Sequence, residues 1–317
     1  MVLDSEAHAI FSNLDTVTLK KRLQRAFSSQ LPIRSDTETH LASALRETLH
    51  RPGSMVRAEL AYRVGVGYGV AAERAEQMAI AIEYFHTASL LFDDLPAMDN
   101  AHQRRGLPCV HRSYGEGAAM LAALALINRA YGLLWRSVSE LPGKVQGELL
   151  AYFELHLGLE GLLNGQSEDL HYARLDANRQ SAHRVALGKT VSLIRLSLVM
   201  PALLGRASQR ETQLLDRLAI VWGLAYQALD DLKDVLHAPG SAAKTAARDA
   251  HLGRPNIALA IGIPEAFVRV EQLMHYGDCT IASLIRKRES LIFLRGVRQQ
   301  FEHEIDRLSP SQLARAV

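Results

Sequence analysis

The sequence predicts an all-α protein, a single helical bundle built around a central cavity. Apolar residues recur at spacings of three and four along most of the chain, and period-two runs rich in β-branched residues are absent. The clearest breaks fall at a few proline and glycine sites. With 317 residues, 48% of them hydrophobic, and no low-complexity tract, the chain can bury a large core. Residues 1–317 are therefore read as one domain.

The first stretch, up to a break around Pro32, carries no distinctive pattern. Ser35 and Glu38 then form a capping box ahead of Leu41, Leu45 and Leu49. From Ala71 the pattern is again helical, and Ile82, His86, Ser89 and Asp93 fall on one stripe. Pro96 should end this helix near Asp94, because the residue before a proline leaves the α region. A turn follows at Gly106-Leu107-Pro108. The longest apolar run, Gly117 to Ile127, stops at Asn128-Arg129, short of a membrane span, so no transmembrane segment is expected. Gln166 and Asp169 share a helix face. The stretch from Thr212 to Val235 reads as a helix whose inward face carries Gly223, Tyr226 or Gln227, and Asp230. A loop follows at Ala238-Pro239-Gly240-Ser241.

A formal net charge of +2, with the basic residues dispersed, argues against nucleic acid as a partner. No signal peptide precedes Asp4 and Glu6, and Cys109 and Cys279 form neither a metal pattern nor a secretory framework. A cytoplasmic location is expected.

The chemistry is concentrated in two acidic clusters. The first is Asp93-Asp94-Leu95-Pro96-Ala97-Met98-Asp99, followed by Arg104-Arg105-Gly106; the second is Asp230-Asp231-Leu232-Lys233-Asp234. Carboxylates packed this densely beside apolar helix sequence repel one another unless a cation lies between them. All-oxygen ligands without His or Cys suit Mg²⁺, which keeps several waters and bridges to phosphates. Asp230 and Asp234 stand on one helix face with Asp231 turned about 100° away. Asp99 reaches Asp93 only if the chain turns after Asp94.

The two clusters resemble the aspartate-rich motifs of the trans-prenyl (polyprenyl) diphosphate synthase family, which includes the geranylgeranyl and farnesyl diphosphate synthases. The first cluster has the longer form of its motif. Further matches are Pro52-Gly53-Ser54-Met55-Val56-Arg57, His86-Thr87-Ala88-Ser89-Leu90, Gly165-Gln166 with Asp169, Lys189-Thr190, Tyr226-Gln227, Lys244, Arg248-Asp249 and Gly253-Arg254. The resemblance implies a prenyltransferase that condenses isopentenyl diphosphate with an allylic diphosphate to a product of about twenty carbons. It implies two to three Mg²⁺ ions held by Asp93, Asp94, Asp99 and Asp230, with Asp231 and Asp234 as outer-sphere members. Arg104, Lys189 and Lys244 would grip the allylic diphosphate, while Arg57, His86 and Arg105 would hold isopentenyl diphosphate. Thr190, Gln166 and Gln227 join the substrate-binding set. Ala88 and Ser89, one turn before the first cluster, would form the floor that sets product length.

Three departures stand out. Ser54 replaces a lysine of the isopentenyl diphosphate site, Arg248 and Arg254 replace lysines after the second cluster, and Ala123-Leu124 replaces a Gly-Asp pair. The same resemblance leaves two other readings, a class I terpene cyclase using one allylic diphosphate and a non-catalytic synthase subunit. A homodimer is expected.

Overall fold

A computed structural model describes residues 16–174, 178–236 and 253–308. The fold is all-α, as the sequence predicts. The described residues up to Leu149 form one compact unit with Met200–Arg206, and Leu150–Val199 forms a second with the described residues from Ala207 onward.

The first unit contains α1 (Thr16–Ser29), α2 (Thr39–His50), α3 (Val56–Gly67), α4 (Ala72–Asp93), the short α5 (Val110–Tyr114) and α6 (Glu116–Val138). Helix α4 packs against α3 and α6. Its buried residues, among them Met78, Ile80, Ile82, Tyr84 and Ala88, surround it on several sides, as suits a helix inside a core. Tyr84 donates from its hydroxyl to the Phe27 carbonyl at 2.6 Å, and the two rings meet edge-on, which ties α1 to α4. The cap of α2 is Glu38 itself, not Ser35: its carboxylate accepts from His40 N at 3.0 Å and Leu41 N at 2.9 Å. A charged carboxylate is the stronger acceptor for first-turn N–H groups. It is held down to about 2 by those bonds.

The strandless expectation needs one amendment. Gln103–Arg104 (β1) and Leu107–Pro108 (β2) pair antiparallel around Arg105 and Gly106. Both turn residues have positive φ, 55° and 78°, the geometry of a two-residue hairpin. Helix α6 runs past Asn128-Arg129 to Val138. Arg129 donates to the carbonyl and side-chain oxygens of Gln30, so the charge is used inside the protein. By length and composition α6 and the stretch Arg179–Leu204 are apolar enough to cross a membrane, but 72% of the apolar window of the latter is buried in the protein. Helix α6 buries Ala119, Ala122, Leu126 and Leu133 and leaves Met120, Leu121, Leu124, Tyr131 and Trp135 exposed.

Helix α7 (Gly143–Leu157) leads into the second unit. That unit holds α8 (Leu162–Leu170), α9 (Arg179–Ala186), α10 (Ser192–Leu204) as far as Val199, α11 (Gln209–Leu236), α12 (Ile257–Ile261), α13 (Ile263–Lys287) and α14 (Leu294–Leu308). Helix α11 packs on α13, and its fully buried Trp222 lies 5.8 Å from Phe301 of α14. Between α9 and α10 the chain makes a π-helical turn, Leu187–Val191. Two close backbone approaches flank it. A Cβ on Gly188 would lie 2.8 Å from Gly165 Cα, and one on Gly223 would lie 2.6 Å from a Val191 methyl.

Candidate active site

In the first unit, α4 ends at Asp93 with Asp94 as its cap, as Pro96 requires. The chain then doubles back, with Asp99 N–H donating to the Asp93 carbonyl at 2.9 Å and Ala101 N–H to the Asp94 carbonyl at 3.1 Å. Asp93 and Asp99 are thus brought together. Asp94 is not a free ligand. It is 4% exposed, and Arg104 donates to it from Nε at 2.9–3.0 Å and from Nη2 at 2.7 Å. The carboxylate beside Arg104 raises the guanidinium's pKa despite burial. Arg104 therefore offsets the charge of Asp94 in this structure.

Arg57 of α3 meets His86 of α4, with Nη1 and Nε2 3.1 Å apart. An arginine can only donate, so Nε2 accepts and the proton of the neutral ring sits on Nδ1. Burial first, then Arg57, Arg105 and Arg104, push the imidazole well below its ordinary range, in agreement. Arg57 Nε and His86 Nδ1 are both buried without a hydrogen-bond partner. Arg105 projects from the hairpin and lays its guanidinium over Gly53, where a Cβ would lie 2.5 Å from Nη2. Ser54, next to it, is exposed. Three cationic or donor side chains thus converge, and two of them carry unsatisfied N–H groups.

Ala88 is fully buried in the helix packing, whereas Ser89 is half-buried and donates to the His86 carbonyl at 2.8 Å. One turn earlier, Phe85 meets Tyr131 of α6 edge-on at 5.2 Å.

In the second unit the π turn presents Lys189 and Thr190 side by side, a use typical of π insertions. Lys189 Nζ lies 2.6 Å from Asp169 Oδ2, and Arg254 Nη1 lies 3.9 Å from the same oxygen. Gln166, half-buried, stands one turn before Asp169. Thr190 donates to Gln227 Oε1 at 2.6 Å, and Gln227 Nε2 donates to Asp231 Oδ1 at 2.8 Å. Asp231 Oδ2 accepts from Ile257 N–H at 2.6 Å, at the start of α12, and its carbonyl accepts from Asn256 Nδ2 at 3.1 Å. Asp231 is 3% exposed, with both carboxylate oxygens engaged, so its place is in the packing rather than around an ion. Of the expected inward face of α11, Gly223 is buried and Gln227 is half-buried, whereas Tyr226 and Asp230 are exposed; Asp234 is half-buried on the turn that follows. Lys244 and Arg248 lie outside the described residues.

Among the described residues no three His, Cys, Asp or Glu side chains converge on a point where an ion could sit. The all-oxygen donor set of Asp93 and Asp99 nevertheless fits Mg²⁺, which needs only one or two carboxylates when waters and phosphates complete its shell. Sequence reasoning missed the Asp94–Arg104 and Asp169–Lys189 pairs. It also missed Glu83, whose signal was an acid inside the apolar run Met78 to Phe85.

The architecture is that of the isoprenoid synthase class of all-α folds. Within that class the chain belongs to the polyprenyl synthetase family, whose model matches residues 38–275. It is similar to the geranylgeranyl diphosphate synthase of Pseudescherichia vulneris, 33% identical over 63% of this chain and 66% of that protein. It also resembles the crystal structure of a geranyltranstransferase from Thermotoga maritima, 26% identical with a TM-score of 0.73, covering 90% of this chain and 98% of that one. A geranyltransferase from Helicobacter pylori, solved with magnesium and isoprenyl diphosphate, has the same fold: 23% identity, TM-score 0.75, and 91% and 94% coverage.

Proposed function

We propose that this protein is a prenyltransferase that joins isopentenyl diphosphate to an allylic diphosphate and releases a trans-prenyl diphosphate of about twenty carbons. The observation that carries the reading is the Arg57–His86 pair with its two buried, unpartnered donors. An enzyme that only ionises one allylic diphosphate at an aspartate cluster has no use for a second anion site. Leaving these donors unsatisfied costs about 1–3 kcal/mol each, which an incoming diphosphate would recover.

Asp93 and Asp99 would hold the metal, which when bound draws negative charge off the leaving diphosphate. Arg104 would pass from Asp94 to the allylic diphosphate, trading one charge-assisted fork for another. Lys189 would do the same from Asp169, and Thr190 and Gln227 would turn their dipoles toward the developing allylic cation. Asp230 on its exposed face is suited to a further ion. Magnesium dependence has support from the Helicobacter relative's complex.

Of the two expected floor residues only Ser89 has room to face a prenyl tail, because the Ala88 methyl is packed away. The family names of the relatives agree with a product near twenty carbons. The exposed apolar stripe of α6 would be covered by a second copy of the chain, making a homodimer. The two cysteines are free thiols, in keeping with a reducing cytoplasm.

The test is incubation of the purified protein with Mg²⁺, isopentenyl diphosphate and each allylic diphosphate in turn. Extended diphosphates are expected. Hydrocarbons would mean a cyclase, and no product would mean a non-catalytic subunit.

A further inference from the structure

Glu83 lies on α4 one turn before His86 and is 3% exposed. A buried carboxylate needs a reason. Its Oε2 accepts from the backbone N–H of Ala58 at 3.1 Å. Ala58 is in the first turn of α3, directly after Arg57, where N–H groups have no intrahelical acceptor. The residue that would ordinarily cap this turn, Met55, is apolar and left-handed, with φ 61°, and makes no side-chain cap. Glu83 therefore supplies from α4 the cap that α3 lacks. It does so beside the one residue of α3 that must reach across to His86.

From this geometry we infer that Glu83 is a positioning residue for the isopentenyl diphosphate site, clamping the first turn of α3 to α4 so that Arg57 meets His86. The inference rests on the reading of Arg57, His86 and Arg105 as that site. Arg57 and Arg105 also act on the carboxylate and offset part of the upward push of burial. Charge alone would not distinguish the clamp from a simple counter-ion; the hydrogen bond does.

Three variants separate the two roles. Glu83→Gln keeps an acceptor at the right reach and loses the charge. Glu83→Asp keeps the charge and falls short by a methylene, and Glu83→Met removes both while filling the volume. Steady-state kinetics with each substrate varied in turn, alongside thermal melting, give the readout. A clamp raises KM for isopentenyl diphosphate about tenfold in Glu83→Asp and Glu83→Met, leaves KM for the allylic substrate near wild type, and is rescued by Glu83→Gln. The reverse order, Asp active and Gln impaired, would overturn the clamp in favour of a counter-ion. Parallel loss of both KM values with falling melting temperature would reduce Glu83 to a fold residue. Arg57→Gln serves as the control: if it raises KM while the Glu83 variants do not, the clamp fails alone, and if none of them does, the site itself is wrong.

Discussion

Arg57 Nε and His86 Nδ1 in the first unit are buried with nothing to donate to, whereas in the second unit Thr190, Gln227 and Asp231 pass hydrogen bonds from one to the next and end on the N-terminus of α12. The first arrangement leaves a desolvation cost that an incoming anion would relieve. The second is satisfied as it stands, and its lysine rests on Asp169. One region is prepared for a ligand to complete it, and the other must exchange internal partners before it can grip one. Such a difference separates binding from chemistry: the unsatisfied site can govern KM, while groups that must change partner act mainly as the reaction proceeds.

The largest effect expected from breaking this comparison comes from the carboxylates. Asp93→Asn and Asp230→Asn should each lower turnover by about a hundredfold or more with the melting temperature kept, because easing repulsion in an empty acidic site does not destabilise it. Asp231→Ala should do the opposite first, lowering stability by about 2 kcal/mol through loss of its bonds to Ile257 N–H and Gln227. Turnover and thermal melting on the same preparations check both, and a stable Asp231→Ala protein would refute the structural role.

Next in size is the glycine pair. A Cβ on Gly165 would run into the backbone of Gly188 and Lys189, and backbone cannot give way as a side chain can. Gly165→Ala should cost about 1–3 kcal/mol and displace Lys189, with kcat falling more than KM for isopentenyl diphosphate. If instead that KM alone rises, the second unit's network also serves the nucleophile's site.

Ser54→Lys sharpens the contrast from the other side by adding a third cation, next to Gly53, to Arg57 and Arg105. KM for isopentenyl diphosphate should fall about tenfold, and its salt dependence should steepen. An unchanged KM would place the second diphosphate elsewhere.

The smallest effect is in pH. Folding pushes His156 down to about 4, by burial first and then by Arg195 against the opposing pull of Asp216, and it pushes His86 well below its ordinary 6.5. The unfolded rings take up protons near 6.5, before the folded ones do, so stability is full above that value and is lost as pH falls toward 4. Denaturant melts between pH 7 and 4 should show this decline, reduced in His156→Phe.

Much of the fold was legible because helices are written in local periodicity. The end of α4 followed from Pro96, and the return of Asp99 toward Asp93 followed from that end. The stripe of Ile82, His86, Ser89 and Asp93 was likewise a matter of spacing on a helix. The cap at Glu38 and the hairpin around Arg105 were less legible, since each depends on which of several nearby polar groups finds a partner.

What the sequence by itself determined is the set of helices, the two acidic clusters and the residues gathered near their ends, because helical spacing and proline sterics act over a few residues. Only the tertiary structure decided which charges were committed. Arg104 turned to Asp94, Lys189 to Asp169, Asp231 to α12, and Glu83 to the bare end of α3. The physical reason is that a buried charge takes the best acceptor or donor within about 3 Å, and what lies within that distance is set by helix packing between segments separated in the chain.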